Sequence, residues 1–266
     1  MPRAKTGEIE LNYEIDGSGE QTLVFINGIT MDTNGWGYQA PFFSQFFKVV
    51  RYDCRGQGLS DKPANPYSQE MHADDLKNLL DVLGVDKVHL IGLSNGGMIA
   101  QHFALKYPDK LISLILVDTC CYVDKLLQLM IDTWIKATEI GGNEFRYDMS
   151  LPVIFSETFI RNNEENLSQM KENNLIANSP EAIINLVKAT ADHDLSHRIQ
   201  EIKCPTLIIA GSEDILIPPK HSSILHEKIE GSEYITIENC GHVPSIEKPA
   251  EFNEIVLNFL TKVNSA

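Results

Sequence analysis

The sequence has 266 residues, of which 43% are hydrophobic and 22% are charged. This length and composition are typical of a single α/β domain of about 250 residues. They exclude a disordered chain, a collagen-like fibre and a disulfide-stapled miniprotein. The 37 acidic residues against 22 basic ones give a formal net charge of -15. Such a charge repels phosphate backbones and anionic lipid surfaces, so we expect neither nucleic acid nor a membrane as a partner.

Short β-rich runs alternate with helical patterns along most of the chain. In chain order, apolar periodicity predicts strands at 8–15, 22–26 and 47–52, a helix at 70–83, a strand at 87–91, a helix at 97–107 and a strand at 111–117. Further along, strands at 206–210 and 233–237 flank a helix, and a last helix is predicted at 250–263. Strands that alternate with helices pair in parallel through right-handed crossovers. The predicted fold class is therefore α/β, with a doubly wound, mostly parallel sheet.

Residues 120–202 interrupt this alternation. They contain no convincing strand, only helical stretches, of which 126–138 and 180–191 are the clearest. Since β patterning resumes at residue 206, we interpret the segment as a helical cap inserted into a core formed by residues 1–119 and 203–266.

The aromatic residues of this segment are candidates to line a substrate pocket, although most of them are expected simply to pack the cap together. We select Tyr122 and Trp134 as substrate-binding residues. The other aromatic candidates are Phe145, Tyr147, Phe155 and Phe159.

The strongest local signal is a G-x-S-x-G motif at residues 92–96, between a predicted strand and a predicted helix. Its glycines allow a sharp turn that presents the Ser94 hydroxyl at the end of the sheet. The motif alone is a weak signal, but the strand–turn–helix context is the one that it requires. We therefore predict that Ser94 is a nucleophile.

A serine nucleophile needs a base, and the base needs an acid to orient it. Asp214 and His242 each follow a later predicted strand after a short loop, so both lie at the same edge of the sheet as Ser94. The chain order Ser94, Asp214, His242 is the one expected of this architecture. The sequence thus predicts a catalytic triad, with Asp118, directly after another strand, as the alternative acid.

Two backbone N–H groups are predicted to form an oxyanion hole. One belongs to Asn95, the residue after the nucleophile, and the other to Ile29, in the loop that follows the strand at 22–26. Asn27 and Gly28 are expected to shape this loop.

At this point the chain resembles the α/β-hydrolase superfamily over essentially its whole length. The segments that carry the resemblance are Asn27-Gly28, residues 52–60 (YDCRGQGLS), 92–97, 211–214 with Pro218, and Gly241-His242. The short helical cap and the Asn27-Gly28 opening look most like small bacterial serine esterases and the enol-lactone hydrolases of aromatic catabolism. Most relatives have His-Gly in place of Asn27-Gly28, a departure that concerns the scaffold of the oxyanion loop. The resemblance implies that residues 52–60 brace that loop.

The predicted function is hydrolysis of a small to medium carboxylic ester or lactone through an acyl-enzyme, with no cofactor and no metal. A serine at position 94 argues against relatives that use an aspartate nucleophile. Carbon–carbon bond hydrolysis of ring-cleavage products is an alternative, although its asparagine usually precedes the nucleophile, where this chain has Leu93. Thioester hydrolysis uses the same machinery and stays open. A non-catalytic small-molecule receptor is the alternative of another class, and the complete triad argues against it.

Other polar clusters are given structural interpretations. Asp192, His193, Asp194 and His197 resemble a metal cluster on paper, but we expect them to end a cap helix and pin the cap to the core. Three arginines of the cap region could pair with a substrate carboxylate, although each on its own is expected to be solvated. They are Arg146, Arg161 and Arg198.

The opening residues and the cysteines predict a cytoplasmic protein. The first residues lack the apolar core of a signal peptide, and no stretch reaches the ~18–20 apolar residues of a membrane span. The cysteines are odd in number and fit neither a zinc site nor a disulfide framework, so we expect reduced, structural thiols. They are Cys54, Cys120, Cys121, Cys204 and Cys240.

Overall fold

The computed structural model describes residues 2–265, which form one eight-stranded sheet with helices packed on both faces. The strands follow the order β1-β2-β4-β3-β5-β6-β7-β8 across the sheet. The pairs β1–β2 and β2–β4 are antiparallel, and every later pair is parallel. The strands are β1 (Arg3–Thr6), β2 (Ile9–Asp16), β3 (Thr22–Ile26), β4 (Lys48–Tyr52), β5 (Val88–Leu93), β6 (Leu111–Val117), β7 (Thr206–Gly211) and β8 (Glu233–Ile237). The predicted doubly wound, mostly parallel α/β fold is confirmed.

The helices divide into those between the strands and those of the long segment between β6 and β7. The first group contains α1 (Ala40–Phe43), α2 (Gln69–Val82), α3 (Asn95–Lys106), α8 (Lys220–Lys228), α9 (Pro244–Glu247) and α10 (Pro249–Asn264). The second group contains α4 (Lys125–Ile154), α5 (Glu157–Asn162), α6 (Glu164–Ala177) and α7 (Pro180–Ala191). Short 3₁₀ turns at Thr33–Trp36, Pro108–Lys110 and Ile199–Glu201 complete the described elements.

Successive side chains of the central strands enter two different cores. In β3, Val24 packs with apolar residues of α2, α3 and α8, whereas Phe25 packs with residues of α1 and α10. Because side chains alternate between the two faces of a strand, a strand covered on both sides is apolar at every position, as TLVFI is in β3. The continuous apolar runs in the sequence therefore mark the buried centre of the sheet.

Several elements were not predicted from the sequence, and β1 and α4 show why. Strand β1 has the polar sequence RAKT, which gives no strand signal. It buries only alternate positions and pairs only with β2. The helix predicted at 126–138 extends to Ile154, with a break at Gly142, whose φ is +67°. A glycine in this left-handed region interrupts the helical hydrogen bonding, so the apolar pattern changes phase there and hides the second half of α4.

The chain enters and leaves the long helical segment at one place. Tyr122 and Asp194 form a single antiparallel bridge, and the Leu195 N–H donates to the Cys121 carbonyl at 2.7 Å. The ring of His193 lies 3.0 Å from the Cys120 carbonyl and 3.2 Å from the ring of His102. Burial and the neighbouring His102 lower the pKa of His193 to about 4, so the ring is neutral near pH 7. These contacts hold the two ends of the segment together.

The cysteines are buried or half-buried thiols. Within residues 2–265 all five are free, and burial raises the pKa of Cys54 to about 12 and of Cys121 to about 11. A thiol with so high a pKa carries almost no thiolate at neutral pH and is a poor nucleophile. In the same part of the chain, no helix combines the length and apolar character that crossing a membrane requires.

Candidate active site

Ser94 lies in a strained turn between β5 and α3. Its φ is 55° and its ψ is -118°, and its N–H donates to the Val117 carbonyl at 2.8 Å. A Cβ atom at Gly92 would collide with the Gly96 carbonyl, and a Cβ at Gly96 would collide with the Ile26 carbonyl. Only glycine fits at these two positions, which explains why the chain can turn so sharply around Ser94. The strain is of the kind found where a side chain must be presented at a reactive site.

Asp214 and His242 form a buried hydrogen-bonded pair. Asp214 Oδ2 lies 2.7 Å from His242 Nδ1, and the two residues are 3% and 4% exposed. Asp214 Oδ1 accepts hydrogen bonds from the backbone N–H groups of Leu216 at 2.9 Å and Ile217 at 3.0 Å. One carboxylate oxygen is thus held by the backbone and the other faces the imidazole. The arrangement fixes the ring and directs Nε2 away from Asp214.

The backbone around His242 is anchored to the long helical segment. The His242 N–H donates to the carbonyl of Ile154, the last residue of α4, at 2.8 Å. His242 and Ser94 line the same cavity. No hydrogen bond within residues 2–265 joins the Ser94 hydroxyl to the His242 ring, and in many enzymes this contact tightens only when substrate binds.

A second acid, Asp118, lies beside the pair. Asp118 follows β6 with a φ of 42°, and its Oδ1 accepts the Gly211 N–H at 2.8 Å while its buried Oδ2 has no partner. Burial first, and then the charge of Asp214, raise the pKa of Asp118 well above its usual range. Asp118 is therefore a neutral carboxylic acid over a wider pH range than an ordinary aspartate.

One group of side chains in the described chain brings three possible metal-ligand atoms within 4.8 Å of one another. It consists of Asp118, Asp214 and His242. The 2.7 Å separation of the His242 and Asp214 atoms is a hydrogen-bonding distance. The same atoms form an acid–base pair, with the Asp118 carboxyl of raised pKa beside it. The histidine-rich cluster at 192–197 does not bring its side chains into such a group.

Replacing Asp118 with asparagine should stabilise the protein more at pH 8 than at pH 4.5. A carboxyl whose pKa is raised by folding contributes stability that is fully present below its unfolded pKa and is lost as the pH rises through its folded pKa. Asparagine keeps the acceptor for Gly211 and cannot ionise, so it escapes this loss. We measure the free energy of unfolding of both proteins in urea at the two pH values. From pH 4.5 to pH 8, the difference between variant and wild type should shift in favour of the variant by about 1 kcal/mol or more. An equal difference at both pH values would show that the Asp118 pKa is not raised.

The loop after β3 lies against Ser94. A Cβ atom built on Gly28 would lie 3.8 Å from the Ser94 Cβ, and Ile29 lines the cavity together with Ser94. The backbone N–H groups of Ile29 and Asn95 donate no hydrogen bond to another group within residues 2–265. They are therefore free to donate to an oxyanion near Ser94.

Two amide side chains hold this loop from behind. Gln57 Nε2 donates to the carbonyls of Gly28 at 2.7 Å and Ile29 at 2.9 Å. Asn27 donates to the Tyr52 carbonyl at 3.0 Å and accepts the indole N–H of Trp36 at 2.8 Å. Asn27 therefore supports the loop through its own contacts, and residue 57 of the 52–60 segment braces the same loop.

Two cavities meet at Ser94. The first encloses about 690 Å³ of space between atoms, part of it open to solvent, and the second about 380 Å³. Both are lined by Ile29, Ser94, Trp134 and Leu216. The first also includes His242 and is mostly apolar, with Met31, Phe155 and Met170 among its walls. Together the cavities offer two compartments on either side of one hydroxyl.

The two predicted substrate-binding aromatics lie in different places. Trp134 lines both cavities, whereas Tyr122 lines neither and instead packs edge-on against His221 beside the bridge to Asp194. Of the other aromatic candidates, Tyr147 and Phe155 line the first cavity.

The three arginines of the helical segment also separate. Arg161 and Arg198 are exposed and form ion pairs with Glu157 and Glu201, as expected of solvated side chains. Arg146 is 1% exposed, contrary to the expectation that it is solvated, and it donates to Asn174 Oδ1 at 2.9 Å. The burial arises because Arg146 lies on the face of α4 that packs against α6.

Sequence reasoning missed several cavity residues, of which Asn174 is the most polar. Asn174 lines the first cavity and its Nδ2 donates to the Thr30 carbonyl at 2.9 Å. It lies in α6, a polar stretch of helix with no motif. The sequence holds one weak signal, two asparagines spaced four residues apart at 174 and 178. In the structure both side chains donate to the Thr30 carbonyl.

Comparison with known proteins gives matches over nearly the whole chain. The sequence model of the alpha/beta hydrolase fold family matches residues 21–249. The 2-hydroxy-6-oxononadienedioate/2-hydroxy-6-oxononatrienedioate hydrolase of Paraburkholderia phymatum is 30% identical, over 95% of this chain and 91% of that protein.

Two solved structures superpose closely. The enol-lactonase from Burkholderia xenovorans has a TM-score of 0.92 at 28% identity and covers 98% of this chain and 100% of its own. A thermophilic esterase from Thermogutta terrifontis, solved with malate bound, has a TM-score of 0.91 at 30% identity and covers 99% of both chains.

Proposed function

Since the chain belongs to the α/β-hydrolase family, we propose that it is a serine hydrolase that cleaves a small to medium carboxylic ester or lactone. Ser94 is the nucleophile, His242 the general base and Asp214 the acid that orients the imidazole. The observation that carries this proposal is the buried 2.7 Å hydrogen bond between Asp214 and His242 at the cavity that Ser94 lines.

The reaction begins when His242 Nε2 accepts the hydroxyl proton of Ser94 and Oγ attacks the carbonyl carbon. The N–H groups of Ile29 and Asn95 stabilise the oxyanion, and the loss of one such donor typically costs about 3 kcal/mol of transition-state stabilisation. The intermediate collapses, His242 gives its proton to the departing alkoxide, and an acyl ester remains on Ser94. Water, deprotonated by His242, then attacks this ester and releases the acid.

The two cavities match the two parts of an ester. With the scissile carbonyl at Ser94, one cavity would hold the acyl group and the other the alcohol. Walls such as Trp134, Leu216 and Phe155 favour apolar substituents. The helical segment at 120–202 supplies Trp134 and so acts as the proposed cap over the serine.

Carbon–carbon bond hydrolysis is the second candidate, because the 30% identical relative is named as a hydrolase of a 2-hydroxy-6-oxo dienedioate. Leu93 precedes the nucleophile, where enzymes of that kind usually have asparagine, and it lines the first cavity. An apolar side chain at that point supplies no hydrogen bond to a ketonic substrate, so we rank ester or lactone hydrolysis first. Thioester hydrolysis stays a further alternative.

The proposal is tested with a panel of short aryl esters, lactones, acyl thioesters and one ring-cleavage dienone. We expect esters or lactones to give the highest kcat/KM, in the range of about 10⁴ M⁻¹s⁻¹ or more for the best substrate. If the kcat/KM for the dienone exceeded that for every ester and lactone, carbon–carbon bond hydrolysis would be supported instead. Tight binding of esters with no hydrolysis above the buffer rate would contradict the enzyme and favour a receptor.

We also propose that the protein works in a reducing compartment, the cytoplasm. The free, largely buried cysteines support this location, since an oxidising compartment favours paired cysteines.

A further inference from the structure

Arg146 is a buried guanidinium with no acidic partner. Within residues 2–265, no carboxylate lies at ion-pairing distance from it, although the sequence holds 37 acidic residues against 22 basic ones. The acids nearest to it along α4, Glu144 and Asp148, pair instead with Lys171 at 3.0 and 2.7 Å. Arg146 is only 1% exposed, so bulk water does not solvate its charge either. A buried charge without a partner costs several kcal/mol, which calls for a reason to keep it.

Most of the hydrogen-bonding capacity of Arg146 is unused. A guanidinium has five N–H donors. Nη2 donates to Asn174 Oδ1 at 2.9 Å, whereas the buried Nε has no partner. Burial lowers the pKa of Arg146 to about 10, which still leaves it protonated at neutral pH. Holding one carboxamide oxygen does not require a charge, so this contact alone does not explain an arginine.

The charge lies directly behind the wall of the first cavity. Asn174, which accepts from Arg146, lines this cavity, and so does Tyr147, the next residue in α4. Asn174 Nδ2 also donates to the Thr30 carbonyl, one residue after Ile29. No acidic side chain of the described chain lines this cavity. The cavity is thus largely apolar around Ser94, and a guanidinium lies behind its wall at Asn174.

We propose that Asn174 and Tyr147 form a carboxylate-binding subsite in the first cavity, with the charge of Arg146 directly behind it, so that the preferred substrates carry a carboxylate on the part that occupies this cavity. The carboxamide of Asn174 and the phenol of Tyr147 line the cavity and provide donors to a carboxylate, while the guanidinium behind them, bonded to Asn174 Oδ1, supplies the opposite charge. With the scissile carbonyl at Ser94, the substrate class is a half-ester of a dicarboxylic acid. The catalytic part of this inference rests on the proposed function, whereas the binding part does not.

Matched ester pairs test the subsite. Aryl half-esters of succinate, glutarate and adipate are compared with neutral esters of the same length that end in a methyl group. We expect the wild type to prefer the carboxylate-bearing ester of the best length by about tenfold or more in kcat/KM. Arg146→Met should lower this ratio at least tenfold, Arg146→Lys should keep part of it, and the surface control Arg161→Met should leave it unchanged. A wild-type ratio of one or less at every length would overturn the proposal.

A stability measurement separates binding from a structural role. Because Arg146→Met removes an unpaired buried charge, we expect its Tm to equal or exceed that of the wild type. A lower Tm with equal losses on both esters would assign Arg146 a purely structural role and refute the subsite.

A binding measurement keeps the test independent of catalysis. Glutarate and its neutral diamide are titrated into the Ser94→Ala protein, with and without Arg146→Met. We expect glutarate to bind at least tenfold more tightly than the diamide only when Arg146 is present. If no ester is hydrolysed but this difference is found, the proposed function fails and the subsite stands. Equal affinities for glutarate and the diamide refute the subsite whatever the enzyme does.

Discussion

Replacing Ser94 with alanine should lower kcat/KM for the best ester by about 10⁴-fold or more. The hydroxyl oxygen is the atom that becomes acylated, and within residues 2–265 no cysteine and no other serine lines either cavity. What activity remains should come from water activated by His242 and from the free N–H groups of Ile29 and Asn95. The measurement is steady-state hydrolysis with the purified variant at several substrate concentrations.

The Ser94 variant should fold normally, because alanine meets the same backbone strain at a φ of 55° that serine meets. Ser232→Ala, at the exposed surface where its hydroxyl bonds only with His226, is a matched control and should keep full activity. Near-wild-type turnover by a folded Ser94→Ala protein would exclude the acyl-enzyme on this residue.

Replacing Asp214 with asparagine should lower kcat by about 10⁴-fold while leaving the fold intact. The carboxamide oxygen can still accept the N–H groups of Leu216 and Ile217, so the side chain keeps its position. Its NH₂ group, however, would face His242 Nδ1 and favour the tautomer that carries its proton on Nε2. A protonated Nε2 cannot accept the hydroxyl proton of Ser94, so the base is lost.

Asp118→Asn is the matched comparison, since it makes the same chemical change a few ångströms away. Because burial and the charge of Asp214 raise the pKa of the Asp118 carboxyl and so favour its neutral form, which asparagine resembles, this change should reduce kcat far less than it does at position 214. The opposite order, with Asp118→Asn the more damaging change, would identify Asp118 as the acid that orients His242. Comparing the two pH–rate profiles would then show which carboxyl carries the charge.

The parts of the site that follow strand ends were predictable from the sequence. Ser94 directly follows β5, and Asp214 and His242 follow β7 and β8 after short loops. In a parallel sheet such positions share one edge whatever the helices between them do. The same logic placed Ile29 and Asn95. Local sequence patterns were therefore enough to predict that these distant residues lie together, because the ends of parallel strands lie at one edge of the sheet.

The walls of the cavities were not predictable in the same way. Asn174 and Arg146 lie on helices whose mutual rotation depends on the break at Gly142 and on packing between α4 and α6. A single sequence does not reveal such rotations, so Arg146 could not be told from the exposed arginines of the same segment. Tyr122 shows the converse: an aromatic residue near the right strand end lies outside the cavities because the chain is tied down there by the bridge to Asp194.

The raised pKa of Asp118 was not predictable either. Its position after β6 identified it as a possible acid, but its charge state depends on complete burial and on the nearby charge of Asp214. Both are properties of the folded chain. The sequence could therefore propose two acids, whereas the choice between them depends on the hydrogen bond that only Asp214 makes to His242.

The most direct test of a serine acyl-enzyme is the mass of the protein after treatment with an alkyl fluorophosphonate, followed by peptide mapping. The account predicts one adduct per chain, located on Ser94, absent from Ser94→Ala and much slower to form in Asp214→Asn. An unlabelled wild-type protein that still hydrolyses esters, or an adduct on another residue with full loss of activity, would contradict it.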